Sequence, residues 1–288
     1  MRLLFAVAFA LGLCGTAARA DPVAIVAAEN FYGDLAMQIG GPDVTVTSIL
    51  TNPDQDPHLF EASASTARAI AAARVVILNG ADYDPWMEKL LSASKAPGRE
   101  VIEAAKLLHK KAGDNPHLWY DPAAMPAVAK ALAATLAKLD PAHRAGYEQR
   151  LAAFLASLEP MQAKIAEMRK QYAGTPVTAT EPVFGYMAAA LGLTMRNERF
   201  QLAVQNDTEP SPSEIAAFQR DLKTHAVKVL LYNSQAQEEL TRKMRELAQQ
   251  SGIPVVGVSE TAPPDTKYQD WMLQQLDALD RALGGKSS

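Results

Sequence analysis

The stretch 144–172, RAGYEQRLAAFLASLEPMQAKIAEMRKQY, places its large apolar residues at Tyr147, Leu151, Phe154, Leu158, Met161, Ile165, Met168 and Tyr172, in unbroken steps of four and three. That spacing keeps one face of a helix apolar along its whole length. At about 1.5 Å per residue the helix would be roughly 40 Å long, enough to cross one domain and reach the next. Pro160 removes a backbone donor and bends the axis, but the apolar phase runs through it, so the reading is one bent helix rather than two. A coiled-coil dimer is the alternative for such heptads. With only about four repeats, and a different pattern resuming on both sides, a linking helix within one chain is the better reading.

Strand-like runs alternate with helical patterns on either side. Before the linking helix, strands are expected at Val23 to Ala28, Val44 to Leu50, Val75 to Leu78 and Glu100 to Glu103, and helices at Phe31 to Ile39, Ser63 to Ala73 and Trp86 to Leu91. Asp121-Pro122 reads as an N-cap and first-turn proline opening a helix to about Leu139. After the linking helix, strands are expected at Val177 to Thr180, Leu193 to Asn197, Val227 to Tyr232 and Val255 to Val258. Helices are expected at Tyr186 to Leu191, Ser213 to Lys223, Ala236 to Gln250 and Tyr268 to Leu283. The expected fold is α/β, with two lobes, each a mostly parallel sheet flanked by helices, joined by one long rigid helix. The boundaries are 1–20 leader, 21–142 N-terminal lobe, 143–172 linking helix and 173–288 C-terminal lobe.

Two short stretches echo each other, Pro57-His58-Leu59-Phe60 and Pro116-His117-Leu118-Trp119. Each imidazole follows a proline that stiffens the backbone and precedes a Leu-aromatic pair able to enter a core, which suits the mounting of a metal ligand. In an open parallel sheet, ligands sit beyond the carboxyl ends of the strands. His58 and His117 lie there in the first half, and Glu181 and Glu260 lie there in the second, so the four can meet only between the lobes. His109, His143 and His225 lack this mounting and read as surface residues.

Arg2, the apolar run Leu3 to Leu13 and Ala18-Arg19-Ala20 form a secretory signal with its cleavage site, so the mature chain is expected to begin at Asp21 in the periplasm. Cys14 raises the alternative of a lipid anchor, but the bulky Leu13 before it makes a poor acylation site. Cys14 is the only cysteine, so the mature chain has no thiolate and any metal site must use imidazole and carboxylate. Losing Arg2 and Arg19 takes the formal charge from −4 to −6, which with no basic tract argues against nucleic acid and anionic membrane surfaces as partners.

The chain resembles the periplasmic solute-binding proteins of zinc and manganese ABC importers, the group of ZnuA-like and TroA-like receptors. The resemblance spans the mature chain and rests on Asp56-Pro57-His58, Asn79-Gly80 leading to Pro85 through Leu90, Asn115 through Pro122, Glu181 with Phe184-Gly185-Tyr186, and Glu209-Pro210-Ser211-Pro212. It implies one divalent transition metal held as cargo in the interlobe cleft, Zn²⁺ or Mn²⁺ with Fe²⁺ also admissible. His58 and His117 match the family's two histidines, Glu181 a third position held by His or Glu, and Glu260 a fourth that is usually Asp. The long His-rich loop of many zinc receptors is missing, since Leu107 to Asn115 holds only His109. The implied protein is a monomeric receptor, not an enzyme, that hands its ion to the membrane permease of an ABC importer. The alternative is a secreted metal-dependent hydrolase using the same cluster with one position open to water. A receptor for an organic solute would draw on Arg196 and Arg199 and leave the Pro-His loops without a purpose.

Overall fold

The computed structural model describes residues 21–53, 60–236 and 238–284; the leader, Cys14 and the segment carrying His58 lie outside the described residues. Strands β1 (Val23–Glu29), β2 (Val44–Leu50), β3 (Val75–Leu78) and β4 (Glu100–Glu103) form a parallel sheet of order β2-β1-β3-β4. Strands β5 (Pro176–Ala179), β6 (Thr194–Arg196), β7 (Leu230–Asn233) and β8 (Val255–Val258) form a second parallel sheet of order β6-β5-β7-β8. The two sheets share one topology and one register. Ala27 pairs with Ile77 in the first and Ala179 with Leu231 in the second. Two residues further along, Glu29 and Asn79 therefore stand where Glu181 and Asn233 stand in the other lobe.

The helices are α1 (Asn30–Gly40), α2 (Ala64–Ala72), α3 (Pro85–Ala93), α4 (Ala104–Leu107), α5 (Ala124–Leu139), α6 (Arg144–Ser157), α7 (Glu159–Tyr172), α8 (Gly185–Ala190), α9 (Glu198–Gln205), α10 (Pro212–Lys223), α11 (Glu239–Gln250) and α12 (Tyr268–Leu283). Ser63 caps α2 by accepting from the Thr66 amide at 3.1 Å, and Ser211 with Glu214 forms a reciprocal capping box on α10.

The linking helix runs from Arg144 to Tyr172 with the expected bend, because Pro160 cannot donate to the carbonyl at position 156; Leu158 keeps αR backbone between its two segments. The bend falls at Leu158, whose amide turns back to Leu155 at 3.2 Å, and α7 resumes with Gln162 N donating to Leu158 O at 3.0 Å. Two other readings change. The helix expected from Asp121 begins at Ala124, since Leu118–Tyr120 form a buried 3₁₀ turn and Asp121 instead accepts from the Ala123 amide at 2.9 Å. Helices α4 and α9 had no signal: α4 is a single turn, and α9 buries only Phe200 and Gln201 of its eight residues.

The central strands β1, β3, β5 and β7 bury both faces, while the edge strands β2, β4, β6 and β8 are partly exposed. In the first sheet Val26, Ala28, Val76 and Leu78 pack under Ile70 and Met87 from α2 and α3. In the second, Leu230 packs with Phe200, Phe218 and Met244. The opposite faces of both sheets, α1, the apolar face of α6–α7 and α12 belong to one continuous core that includes Ile25, Phe31, Leu158, Met168, Ala179, Val258 and Trp271. This shared core fixes the carboxyl ends of the two sheets against each other.

Candidate metal centre

His117 is held from four directions. Asn79 Nδ2 donates to the Pro116 carbonyl at 2.8 Å, and the Leu118 amide returns to the same oxygen at 2.7 Å. Leu118, Trp119 and Tyr120 behind it are fully buried, so the expected hydrophobic anchor exists. The Tyr83 ring meets the imidazole edge-on with centroids 6.0 Å apart. Asn115 Oδ1 lies 2.7 Å from His117 Nδ1 and accepts from the His117 amide at 3.1 Å. The Asn115 amide orientation is fixed because its Nδ2 donates to Pro182 O at 2.7 Å. Oδ1 can only accept, so Nδ1 carries the proton and Nε2 presents its lone pair. His117 is 0 % exposed, and its Nε2 completes no hydrogen bond among the described residues.

Glu260, two residues beyond β8, points Oε2 at that nitrogen across 3.5 Å, with both side chains buried. Two donors bound to one tetrahedral ion at bond lengths near 2.1 Å lie about 3.4 Å apart, so this pair fits one ion. Asn233 joins Glu260 to Glu181. Its Nδ2 donates to Glu260 Oε1 at 2.6 Å and to Glu181 Oε2 at 3.1 Å, while its Oδ1 accepts from the Gln235 amide at 3.0 Å. Gln235 Oε1 in turn accepts from the amides of Glu260 at 2.6 Å and Thr261 at 3.1 Å. Tyr83 hydrogen-bonds Glu260; burial above all, then the Glu260 and Glu29 carboxylates, raises its phenol well above the usual value and keeps it a neutral donor.

The lobes are tied beside each C-terminal carboxylate. Next to Glu181, Asn115 grips Pro182 O, and Tyr186 Oη donates back to Asn115 O at 2.8 Å. Gly185 permits that approach, since a Cβ there would lie 2.8 Å from Asn115 Nδ2. On either side of Glu260, Tyr120 Oη donates to Ser259 O at 2.8 Å, and Asn30 both donates to Ala262 O at 2.8 Å and accepts from its amide at 3.1 Å.

The structure thus sets His117 against Glu260 and links Glu181 to Glu260 through Asn233, while His58 lies outside the described residues. Among the described residues no group of three His, Cys, Asp or Glu side chains is placed to hold a metal ion. His109 and His225 are exposed, as expected. His143 is not a plain surface residue: its Nδ1 lies 2.6 Å from Asp140 Oδ2 and its Nε2 3.9 Å from Asp43 Oδ1. Arg196 forks onto Asp221 at 2.8 and 3.0 Å and is committed within its lobe. A cavity of about 460 Å³ lined by Thr208, Pro210, Ile215 and Leu240 includes none of the candidate ligands. Sequence reading missed Asn79, Asn115, Asn233 and Tyr83; the signal available was that Asn79 and Asn233 both stand at strand carboxyl ends.

A manganese ABC transporter substrate-binding lipoprotein of Streptococcus gordonii is 21% identical over 283 residues, covering 90% of this chain and 88% of its own. The fold matches the periplasmic zinc-binding protein TroA of Treponema pallidum at a TM-score of 0.77 and 19% identity, covering 93% of this chain and 100% of the other. It also matches the Mn²⁺ complex of the solute-binding protein FpvC of Pseudomonas aeruginosa at 0.75 and 24% identity, covering 91% and 98%. The family model for ZnuA, zinc-uptake complex component A, periplasmic, matches residues 25–282, and the chain belongs to that family.

Proposed function

We propose that this chain is the extracytoplasmic receptor of a metal ABC importer, binding one divalent transition metal between its lobes and delivering it to the membrane permease. The observation that supports it most is the opposed pair of His117 Nε2 and Glu260 Oε2, buried and 3.5 Å apart. The ligand set is His58 and His117 from the N-terminal lobe with Glu181 and Glu260 from the C-terminal lobe. Four side-chain ligands close a tetrahedral shell, whereas a hydrolytic centre keeps a position for water. The hydrolase alternative has no support in the family. The chain acts as a monomer, released by signal cleavage before Asp21.

The test is metal content and stoichiometry of the mature protein purified without chelator, with one ion per chain expected. Because the lobes supply ligands together, the ion binds the folded chain and not the unfolded one. At a free concentration a thousandfold above Kd the stabilisation is about 4 kcal/mol. Equal melting curves for stripped and loaded protein would overturn the reading.

A further inference from the structure

We propose that the side-chain amide of Asn115 is a two-position switch that arms His117 for the ion, and that the C-terminal lobe sets it through the Pro182 carbonyl and the Tyr186 hydroxyl. The inference rests on the receptor reading above and adds the residues that decide when His117 can bind. A neutral imidazole offers one lone pair, and the hydrogen bond made by one ring nitrogen decides which nitrogen keeps it. With the carbonyl end of the Asn115 amide against Nδ1, as it stands, the ring proton sits there and Nε2 is a ligand. With the amide turned over, its NH₂ faces Nδ1 and the proton moves to Nε2. The nitrogen that looks towards Glu260 then has no lone pair to give.

The C-terminal lobe holds the first position. Asn115 Oδ1 accepts from the His117 amide at 3.1 Å and lies 2.7 Å from its Nδ1, while Nδ2 donates across the seam to Pro182 O at 2.7 Å. Turning the amide over would set Oδ1 against the Pro182 carbonyl and Nδ2 against the His117 amide, two contacts of like polarity. That cost exists only while Pro182 is docked. Tyr186, four residues on, keeps it docked. Its Oη donates to Asn115 O at 2.8 Å, and Lys110 lies over its ring at 4.7 Å from the centroid, so the N-terminal lobe grips the start of α8 by hydroxyl and ring together. Asn115 is half-buried and, with Pro182, Leu202 and Asp82, lines a cavity of about 180 Å³ at the seam, which gives the amide room to turn once released. Asn115 and Tyr186 are thus positioning residues: they act on the ion through His117.

The first part of the test needs no metal. Nitrogen NMR of the stripped mature chain with isotope-labelled histidine, at about pH 9 where an ordinary imidazole is neutral, reads the tautomer directly. The His117 signals are assigned by their loss in His117→Gln. Wild type should carry the proton on Nδ1, and Asn115→Ala should move it wholly or partly to Nε2. Asn115→Asp keeps an acceptor and should hold the proton at Nδ1, while Tyr186→Phe, which removes one hydroxyl and keeps the ring, should give a mixture. Titration with Zn²⁺ should then place Asn115→Ala about 10–100-fold below wild type and Tyr186→Phe between the two. A wild-type proton on Nε2, or the wild-type tautomer in folded Asn115→Ala, overturns the switch. Tyr186→Phe with wild-type tautomer and affinity overturns the control by the C-terminal lobe. The expected tautomers in a chain that takes up neither Zn²⁺ nor Mn²⁺ would uphold the switch and sink the receptor reading alone.

Discussion

Glu29 and Glu181 occupy the same register of two sheets with the same strand order, yet they end beside different partners. Glu181 has Asn233 beside it, whose amide donates to its Oε2 at 3.1 Å. Glu29 is 1 % exposed and lies against Asp84; burial first, then the Asp84 charge and hydrogen bond, raises its pKa well above the carboxylate range, so it keeps a proton. Asp84 is committed to the amides of Asn79 and Gly80 at 2.7 and 2.8 Å, and burial pushes it up to about 6. The two asparagines diverge in the same way. Asn233 grips the two C-terminal carboxylates directly, while Asn79 grips the Pro116 carbonyl and so holds the loop from which His117 projects. One backbone position can thus carry a proposed ligand or a structural plug, and its neighbours decide which.

The sharpest way to break this comparison is at the ligands. His117→Ala should lower Zn²⁺ affinity about a thousandfold, about 4 kcal/mol, and His58→Ala similarly, against less than about threefold for His109→Ala or His225→Ala by calorimetric titration. Equal losses in all four would mean that the mounted histidines are not ligands. Next come the register mates: Glu181→Gln should lose about a hundredfold and Glu29→Gln less than about threefold. A large loss in Glu29→Gln would show that the N-terminal position is not a plug.

The supporting amides should follow. Asn115→Ala is expected to cost about 10–100-fold in affinity, because it frees the His117 tautomer and cuts the tie to Pro182 together. Asn115→Asp, which keeps an acceptor at Nδ1, should recover part of it. Asn79→Ala should show mainly as lost stability, roughly 1–3 kcal/mol by denaturant unfolding, since it leaves buried backbone groups unmatched. The smallest effect concerns pH. A carboxyl raised by folding holds a proton that the unfolded chain has released, so its contribution is full below the unfolded value, about pH 4, and is lost as pH rises through the folded one. For Asp84 that loss runs through about 6. Stripped wild type should therefore melt lower at pH 8 than at pH 5, and Glu29→Gln should flatten the difference. An unchanged slope in the variant would mean that the carboxyl pair does not hold this proton.

Most of the architecture was readable because the central strands, buried on both faces, are short apolar runs and the edge strands keep apolar residues on one face. β2, β3, β4, β8 and α12 fall where the pattern put them. Helix α9 was unreadable because it begins after a left-handed Asn197 without a side-chain cap and covers its lobe with little apolar surface. The histidine and glutamates could be named from their places after prolines and strands. Their asparagine partners could not, since an asparagine at a strand end reads equally as a turn, and only register shows that Asn79 and Asn233 are counterparts.

The shared core has a mechanical consequence. Phe31 faces Trp271 with centroids 5.9 Å apart, Tyr120 faces Phe184 at 5.2 Å, and Tyr268 Oη reaches Trp119 O at 2.6 Å, all across the seam between lobes. Parting the lobes would wet rings worth roughly 4–6 kcal/mol each at about 25 cal/mol/Å². A few such rings exceed the roughly 4 kcal/mol that an ion contributes at a thousandfold excess over Kd. The seam therefore resists opening as a clamshell when the ion comes and goes. Scattering profiles of stripped and loaded protein should superimpose, and a clear change in radius of gyration would show that the seam opens.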